Sequence, residues 1–238
     1  MNKEQAITAT SATAGKSWSI NANVSLQSVF EHPECPPLLR QALTKTLSWQ
    51  VRNEIPVRRA LTSPRAAPQW VAALLAMGAT VTVEGSEGPE IPLETLEQGK
   101  TIGKISALHV PYSFSLPAGG RGGAETRWGE AHVARTPADE PIVAAVAGVE
   151  MDGHTVRRAR VALTGVWSKP VRLAQAPTQL VGGPLDEARI QTVAEAVEKE
   201  VAPQGDFLGS EEYRRAMAGV LTRRALEGCL NQNGGSDE

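Results

Sequence analysis

The stretch Ile142 to Leu163, IVAAVAGVEMDGHTVRRARVAL, decides the fold. An apolar run from Ile142 to Val149 meets Asp152-Gly153, a dipeptide that tolerates the positive φ angles of a tight hairpin turn. In the return run, Ala159, Val161 and Leu163 alternate with Arg158 and Arg160. A period of two is that of a strand, so the segment predicts an antiparallel hairpin with one packed face and one face that is wet or set against a partner. A third strand is expected at Val166 to Leu173 or nearby, giving a three-stranded antiparallel sheet packed on helices.

Downstream, Ile190, Val193, Ala194, Val197 and Val201 recur at helical spacing until Pro203 stops them. Ser210 is placed to cap a final helix, with Glu211 and Glu212 at the positive end of its dipole and Tyr213, Met217, Val220 and Leu221 facing inward. Upstream, Val24 to Phe30 predicts a short element, and Pro36-Pro37 opens a helix running to about Asn53, with Leu38, Leu39, Ala42, Leu43 and Leu47 inward. Pro68 opens another, buried through Val71, Leu74, Leu75 and Met77 and closed by Gly78 as a left-handed residue. Val81 and Val83 oppose Thr80 and Thr82 in a strand, a helical turn spans Leu93 to Leu96 before Gly99, and Ile105 to Val110 is the next strand. The segment Pro117 to Ala124 holds Gly119, Gly120, Gly122 and Gly123 around Arg121 and predicts a loop. The expectation is an α+β chain in two parts, residues 24–124 and 125–230. Residues 1–23 and 231–238 are expected to lack order.

A chain of 238 residues with 41% hydrophobic side chains can bury a real core. A net charge of −2 gathers neither phosphate backbones nor anionic lipid, so nucleic acid and membrane are not expected partners. No stretch approaches 18 apolar residues and the first 19 hold no signal-peptide core, which predicts a cytoplasmic protein. Cys35 and Cys229 are far apart, with no C-x-x-C to hold an iron–sulfur cluster or zinc. His32, His109, His132 and His154 form no i, i+4 pair, and no serine sits in G-x-S-x-G. No catalytic residue and no metal ligand is assigned. The glycines around Arg121 have the composition of a phosphate nest, but Glu125 to Glu130 opens no helix behind them, which favours a plain loop. Arginines 52, 58, 59 and 65 are the densest basic stretch; an anionic ligand, a partner's carboxylates and plain solvation all remain open for them. Tryptophans at 18, 49, 70, 128 and 167 are spaced for packing and interfaces rather than for a stacking platform.

Several strings resemble the flavoprotein (FAD-binding, medium) subunit of molybdenum hydroxylases, the family of xanthine dehydrogenases and aerobic carbon monoxide dehydrogenases. They are Ala138-Asp139-Glu140-Pro141-Ile142-Val143, the Asp152-Gly153 hairpin, Leu180-Val181-Gly182-Gly183, and Pro203 with Asp206, Gly209-Ser210, Tyr213-Arg214-Arg215, Leu221 and Arg224-Ala225-Leu226. Together they are similar to that family's C-terminal domain. Val24 through Gln50-Val51-Arg52-Asn53 to Leu74-Leu75-Ala76-Met77-Gly78-Ala79 resembles the second lobe of its flavin-binding domain.

In the family, a Thr-Ile-Gly-Gly-Asn loop and a later Asp between those strings hold FAD. Here the matching residues are Pro56, Val57, Arg58, Arg59 and Ala60, with Gln69 at the Asp. The resemblance therefore implies a degenerate FAD loop, since two arginines stand where two glycines let a backbone approach the ligand. The first flavin lobe, with its own Gly-Gly loop, is expected before Val24, where only about twenty unpatterned residues stand.

The implied function is a medium-subunit component of a molybdenum hydroxylase complex, structural and not catalytic alone, with FAD binding lost. Its implied partners are a molybdopterin-binding large subunit and an iron–sulfur small subunit. Two alternatives stand beside it. One is an electron-transfer FAD subunit whose missing lobe another chain supplies, with Arg58 and Arg59 binding the diphosphate by charge. The other is a small-ligand binding module using the vacated cleft.

Overall fold

The computed structural model describes residues 7–12, 15–84, 90–96, 104–111, 125–136 and 139–232. The chain divides into two compact units, Met1–Pro117 and Ala118–Glu238. That division falls a few residues before the expected boundary. The glycine-rich segment expected as a loop lies outside the described residues, as do Gly99, Ala138 and the tail from residue 233.

The first unit is built on an antiparallel sheet whose strands, β1 (Ile7–Ala12), β2 (Gly15–Asn21), β3 (Thr80–Val83), β4 (Ile91–Pro92) and β5 (Ile105–Pro111), lie in the order β1-β2-β5-β3-β4. The first two strands correct the expectation that residues 1–23 are unstructured. Trp18, Ile20 and Ala22 alternate with Ser19 and Asn21, and the three apolar side chains are at most 1% exposed. Trp18 stands opposite Val110 and Ile20 opposite Leu108, so the hairpin carries core residues into the middle of the sheet. Burying side chains of this size contributes about 1.5–3 kcal/mol each, enough to order a segment whose composition looks unpatterned. In β3, Val81 and Val83 are buried and Thr80 and Thr82 partly exposed, as their alternation predicts.

Among the described residues, five α-helices belong to this unit: α1 (Leu26–Glu31), α2 (Pro37–Thr46), α3 (Trp49–Glu54), α4 (Val57–Thr62) and α5 (Pro68–Met77). The helix expected to run from Pro37 to about Asn53 is therefore two. Leu47 ends α2 in extended backbone, and Ser48 restarts the chain as N-cap of α3, its hydroxyl accepting from the Val51 N–H. Every residue of α5 is buried, and Gly78 closes it with φ 71°, a left-handed conformation that glycine adopts without cost.

The second unit holds a four-stranded antiparallel sheet, β6 (Glu125–Val133), β7 (Val143–Asp152), β8 (Thr155–Thr164) and β9 (Val171–Leu173), in that order. The hairpin at Asp152-Gly153 forms as its sequence requires, with Gly153 at φ 58°. The sheet gains β6, which the sequence reading left without a strand, and β9 covers only the end of the expected Val166–Leu173. In β6 the short alternation is obscured by Gly129 and by charged residues, yet each residue from Glu125 to Val133 pairs with one of β7.

Two helices, α6 (Glu187–Glu200) and α7 (Glu211–Asn231), pack with this sheet around one core. Val143, Ala145, Ala147, Val149 and Met151 of β7 enter that core with Ile190, Val193, Val197, Leu221, Ala225 and Leu226. The backbones of β6 and α7 touch at Gly129, where an added Cβ would sit 2.0 Å from the Ala225 carbonyl oxygen. The Gln232 side chain then spans the outer edge of β6: its Oε1 accepts from the Trp128 N–H at 3.2 Å and its Nε2 donates to the Trp128 C=O at 2.7 Å. The inward face of α7 differs from the expected one. Leu221 is buried, whereas Tyr213 is 38% exposed and Met217 and Val220 are half-buried; Arg214, Ala218, Thr222, Ala225 and Cys229 fill the face instead.

Candidate functional site

The four arginines of this stretch, Arg52, Arg58, Arg59 and Arg65, separate into two kinds. Arg52 is 8% exposed and holds three elements together: its Nε donates to Gln27 Oε1 at 2.8 Å, its Nη1 to the carbonyls of Leu43 and Leu47, and its guanidinium lies 4.7 Å from the Phe30 ring centroid. These bonds satisfy the end of α2 and seat the charge over an aromatic face. Arg58 is half-buried, and Arg59 and Arg65 are exposed. None of these three guanidinium groups has an ion-pair partner among the described residues.

Pro56, Val57, Arg58, Arg59 and Ala60 do not form a loop. Pro56 precedes α4, which the next four residues open. The Val57 N–H donates to the Val24 carbonyl at 2.9 Å and the Arg58 N–H to the Ala22 carbonyl at 2.8 Å, and Pro56 bridges Ser25. The strand end at Ala22 and the turn into α1 therefore occupy the amides at the start of this helix. Val57 and Ala60 are fully buried, and no non-glycine residue among those described has a positive φ. Gln69 lies in the first turn of α5, 7% exposed, and neither its amide nitrogen nor its amide oxygen has a partner within the protein.

In the second unit the Asp206 to Arg215 string builds a pin. Arg214, 5% exposed, donates through Nη1 to the carbonyls of Ile142 (2.8 Å) and Gly165 (2.9 Å) and through Nη2 to both carboxylate oxygens of Asp206 at 2.7 Å. The side chain thus ties the start of α7 to the loop before β7 and the end of β8. Asp206 Oδ1 also accepts from the N–H groups of Leu208 (2.8 Å) and Gly209 (3.1 Å). The Arg214 guanidinium, with those two amides, holds the Asp206 carboxyl below the usual carboxylate range. Gly165 is required here: its φ is 75°, and a Cβ would lie 2.1 Å from the Ile142 carbonyl oxygen. Ser210 caps α7 as expected, accepting from the Tyr213 N–H at 3.2 Å. The Leu180-Val181-Gly182-Gly183 string extends the free side of β8, with Gly182 N–H bonded to the Val156 carbonyl and Val156 N–H to the Gly183 carbonyl.

Neither thiol is poised for nucleophilic work. Burial pushes the Cys35 thiol up to about 11 and raises that of Cys229 further, so both are protonated at neutral pH. Among the described residues no three or more His, Cys, Asp or Glu side chains gather as a metal site. His109 bonds the Thr82 hydroxyl at 2.8 Å and His32 packs 5.4 Å from the Trp18 ring. The burial of Arg214 was not legible in its own residue type. The signal that bears on it is the pair Asp206 and Arg214, eight apart across a Gly-Ser cap.

The model of the CO dehydrogenase flavoprotein C-terminal domain matches residues 131–229. The chain is similar to the carbon monoxide dehydrogenase medium chain of Hydrogenophaga pseudoflava, 26% identical over 191 residues that cover 80% of this chain and 66% of that one. The medium chain of the Afipia carboxidovorans carbon monoxide dehydrogenase is 29% identical over 63% of this chain and 52% of its own length. In fold, the chain superposes on a solved structure of carbon monoxide dehydrogenase from Hydrogenophaga pseudoflava with a TM-score of 0.77 at 24% identity, covering 95% of this chain and 78% of the other. The chain thus spans just under two thirds of the first of these relatives. The matched residues take in the end of β6, strands β7 to β9, α6 and most of α7, so the second unit is similar to the CO dehydrogenase flavoprotein C-terminal domain and the chain to carbon monoxide dehydrogenase medium chains.

Proposed function

We propose that this chain serves as a structural medium-subunit component of an oxidoreductase complex of the molybdenum hydroxylase type, with FAD binding lost. The complex would be cytoplasmic, and its other members would be a molybdopterin-binding large chain and an iron–sulfur small chain. No helix among the described residues is long and apolar enough to cross a membrane.

The observation that carries the reading is the contrast between the two units. The second keeps the packing strings that the resemblance names, tied together by the Arg214 bonds to Ile142, Gly165 and Asp206. At the segment of the first where the resemblance expects flavin contacts, the amides of Val57 and Arg58 are taken by Val24 and Ala22. A diphosphate held at this segment needs free backbone N–H groups and close backbone approach. Two consumed amides, two arginine side chains and the buried Val57 and Ala60 do not fit that group, so no electron transfer is routed through it here. Gln69, a neutral amide where the resemblance places an Asp, adds no charge to orient a flavin.

Co-purification from the native organism tests assembly: large and small hydroxylase chains should accompany this one in fixed ratio, and a lone chain sinks the reading. An absorption spectrum tests the flavin. Purified protein should be colourless at the flavin bands and should leave the fluorescence of added FAD unchanged. A yellow preparation would instead favour the reading in which Arg58 and Arg59, without ion pairs among the described residues, hold the diphosphate by charge.

A further inference from the structure

Phe207 is 90% exposed, the most exposed of the large apolar side chains among the described residues. It stands at the tip of the turn from Asp206 to Gly209, and that turn is bonded more heavily than a surface turn needs. Asp206 N–H donates to the Gly209 carbonyl at 3.0 Å and Gly209 N–H returns to the Asp206 carbonyl at 3.3 Å. The Asp206 carboxylate accepts from two N–H groups of the same turn, and Arg214 ties it to the sheet. The Tyr213 ring, 38% exposed, lies against Gly209, where an added Cβ would sit 2.9 Å from ring Cδ1. Glu211 packs beside Gly205, and Glu211 and Glu212 are exposed, with Arg215 as the neighbouring cation. An aromatic side chain that is 90% exposed is thus presented on a backbone with little freedom left to lose, the condition under which one side chain dominates a binding energy.

We infer that Phe207 is an anchor that inserts into an apolar socket on another protein chain, with Tyr213 against the socket's edge and Lys or Arg side chains on its rim facing Glu211 and Glu212. The inference rests on the complex proposed above and names the surface through which this subunit docks. A second copy is disfavoured as occupant: a two-fold contact sets a patch against itself, opposing the two carboxylates with their like around a single arginine.

The test is co-expression of the full chain with the molybdopterin-binding and iron–sulfur chains of the same organism, followed by measurement of the assembly's dissociation constant. Phe207→Ala should weaken assembly at least about thirtyfold with unchanged melting temperature, since the ring is 90% exposed in the free chain. Phe207→Trp should restore binding, and Glu211→Lys with Glu212→Lys should weaken it and reduce its salt dependence. Wild-type assembly that Phe207→Ala leaves equally tight overturns the anchor and spares the complex. Self-association abolished by Phe207→Ala overturns the choice of a foreign partner. A wild-type chain that does not assemble with those two chains overturns the complex reading and this inference with it.

Discussion

Arg214 shows how much one buried side chain can organise. Replacing it with Ala leaves the Ile142 and Gly165 carbonyls without their donors, at about 2–4 kcal/mol, and a chemical-denaturation midpoint measures the loss. Arg214→Lys should cost nearly as much, because an ammonium cannot reproduce the fork that reaches two carbonyls and a carboxylate at once. The sign of the Asp206 effect follows from its lowered folded value. The carboxylate binds its proton less readily folded than unfolded, so its contribution is fully present above about pH 4 and is lost as pH falls through the lower folded value. Asp206→Asn should therefore flatten the acid limb of stability against pH below about pH 4. Cys35 and Cys229 give a second check: with both thiols buried and protonated, a thiol reagent at neutral pH should label neither in the native chain and both after denaturation.

Among elements, those whose pattern is set by one neighbour were legible in the sequence. The β7–β8 hairpin, the Gly78 stop of α5 and the Ser210 cap each follow from local chemistry, and each stands where the residues place it. Elements set by distant partners were not. The alternation of Trp18 and Ile20 in β2 with Ala22 just after it is only three apolar positions long, and Leu108 and Val110, about ninety residues away, are what make it a strand. In β6 the decisive residue is Gly129, whose missing side chain reads as a strand breaker until α7 is laid across it. Gly129→Ala should force the two backbones apart and cost about 1–3 kcal/mol, seen as a fall in melting temperature. Ser210→Ala should cost about 1 kcal/mol by leaving the Tyr213 N–H uncapped. The α7 face was misjudged because apolar residue type was weighed alone, whereas Arg214 is drawn inward by carbonyls that no helical period reveals.

For the whole molecule, the likeness to carbon monoxide dehydrogenase medium chains was legible from strings spread along both units, and the same resemblance set the expected flavin segment at Pro56 to Ala60. Sequence could place Arg58 and Arg59 where glycines are expected. It could not show that the adjoining amides are consumed by Ala22 and Val24, because that depends on where a strand end and a turn come to rest. Two substitutions back to glycine test how deep the change runs. With the carbonyls of Ala22 and Val24 still in place, Arg58→Gly with Arg59→Gly should not confer FAD binding, and a fluorescence titration with FAD should stay flat.

The hold of Gln232 on Trp128 has a consequence for how the chain ages. That amide occupies one outward N–H and C=O pair of β6 much as another strand would, and it lies at the last described turn of α7. Proteolysis that trims the chain before Gln232 would free that pair at Trp128, midway along a nine-residue strand at the border of the sheet, and so extend a template for edge-to-edge polymerisation. Trimmed or Gln232→Ala protein should then form thioflavin-positive aggregates sooner than the intact chain, while its secondary structure, read by circular dichroism before aggregation, stays the same.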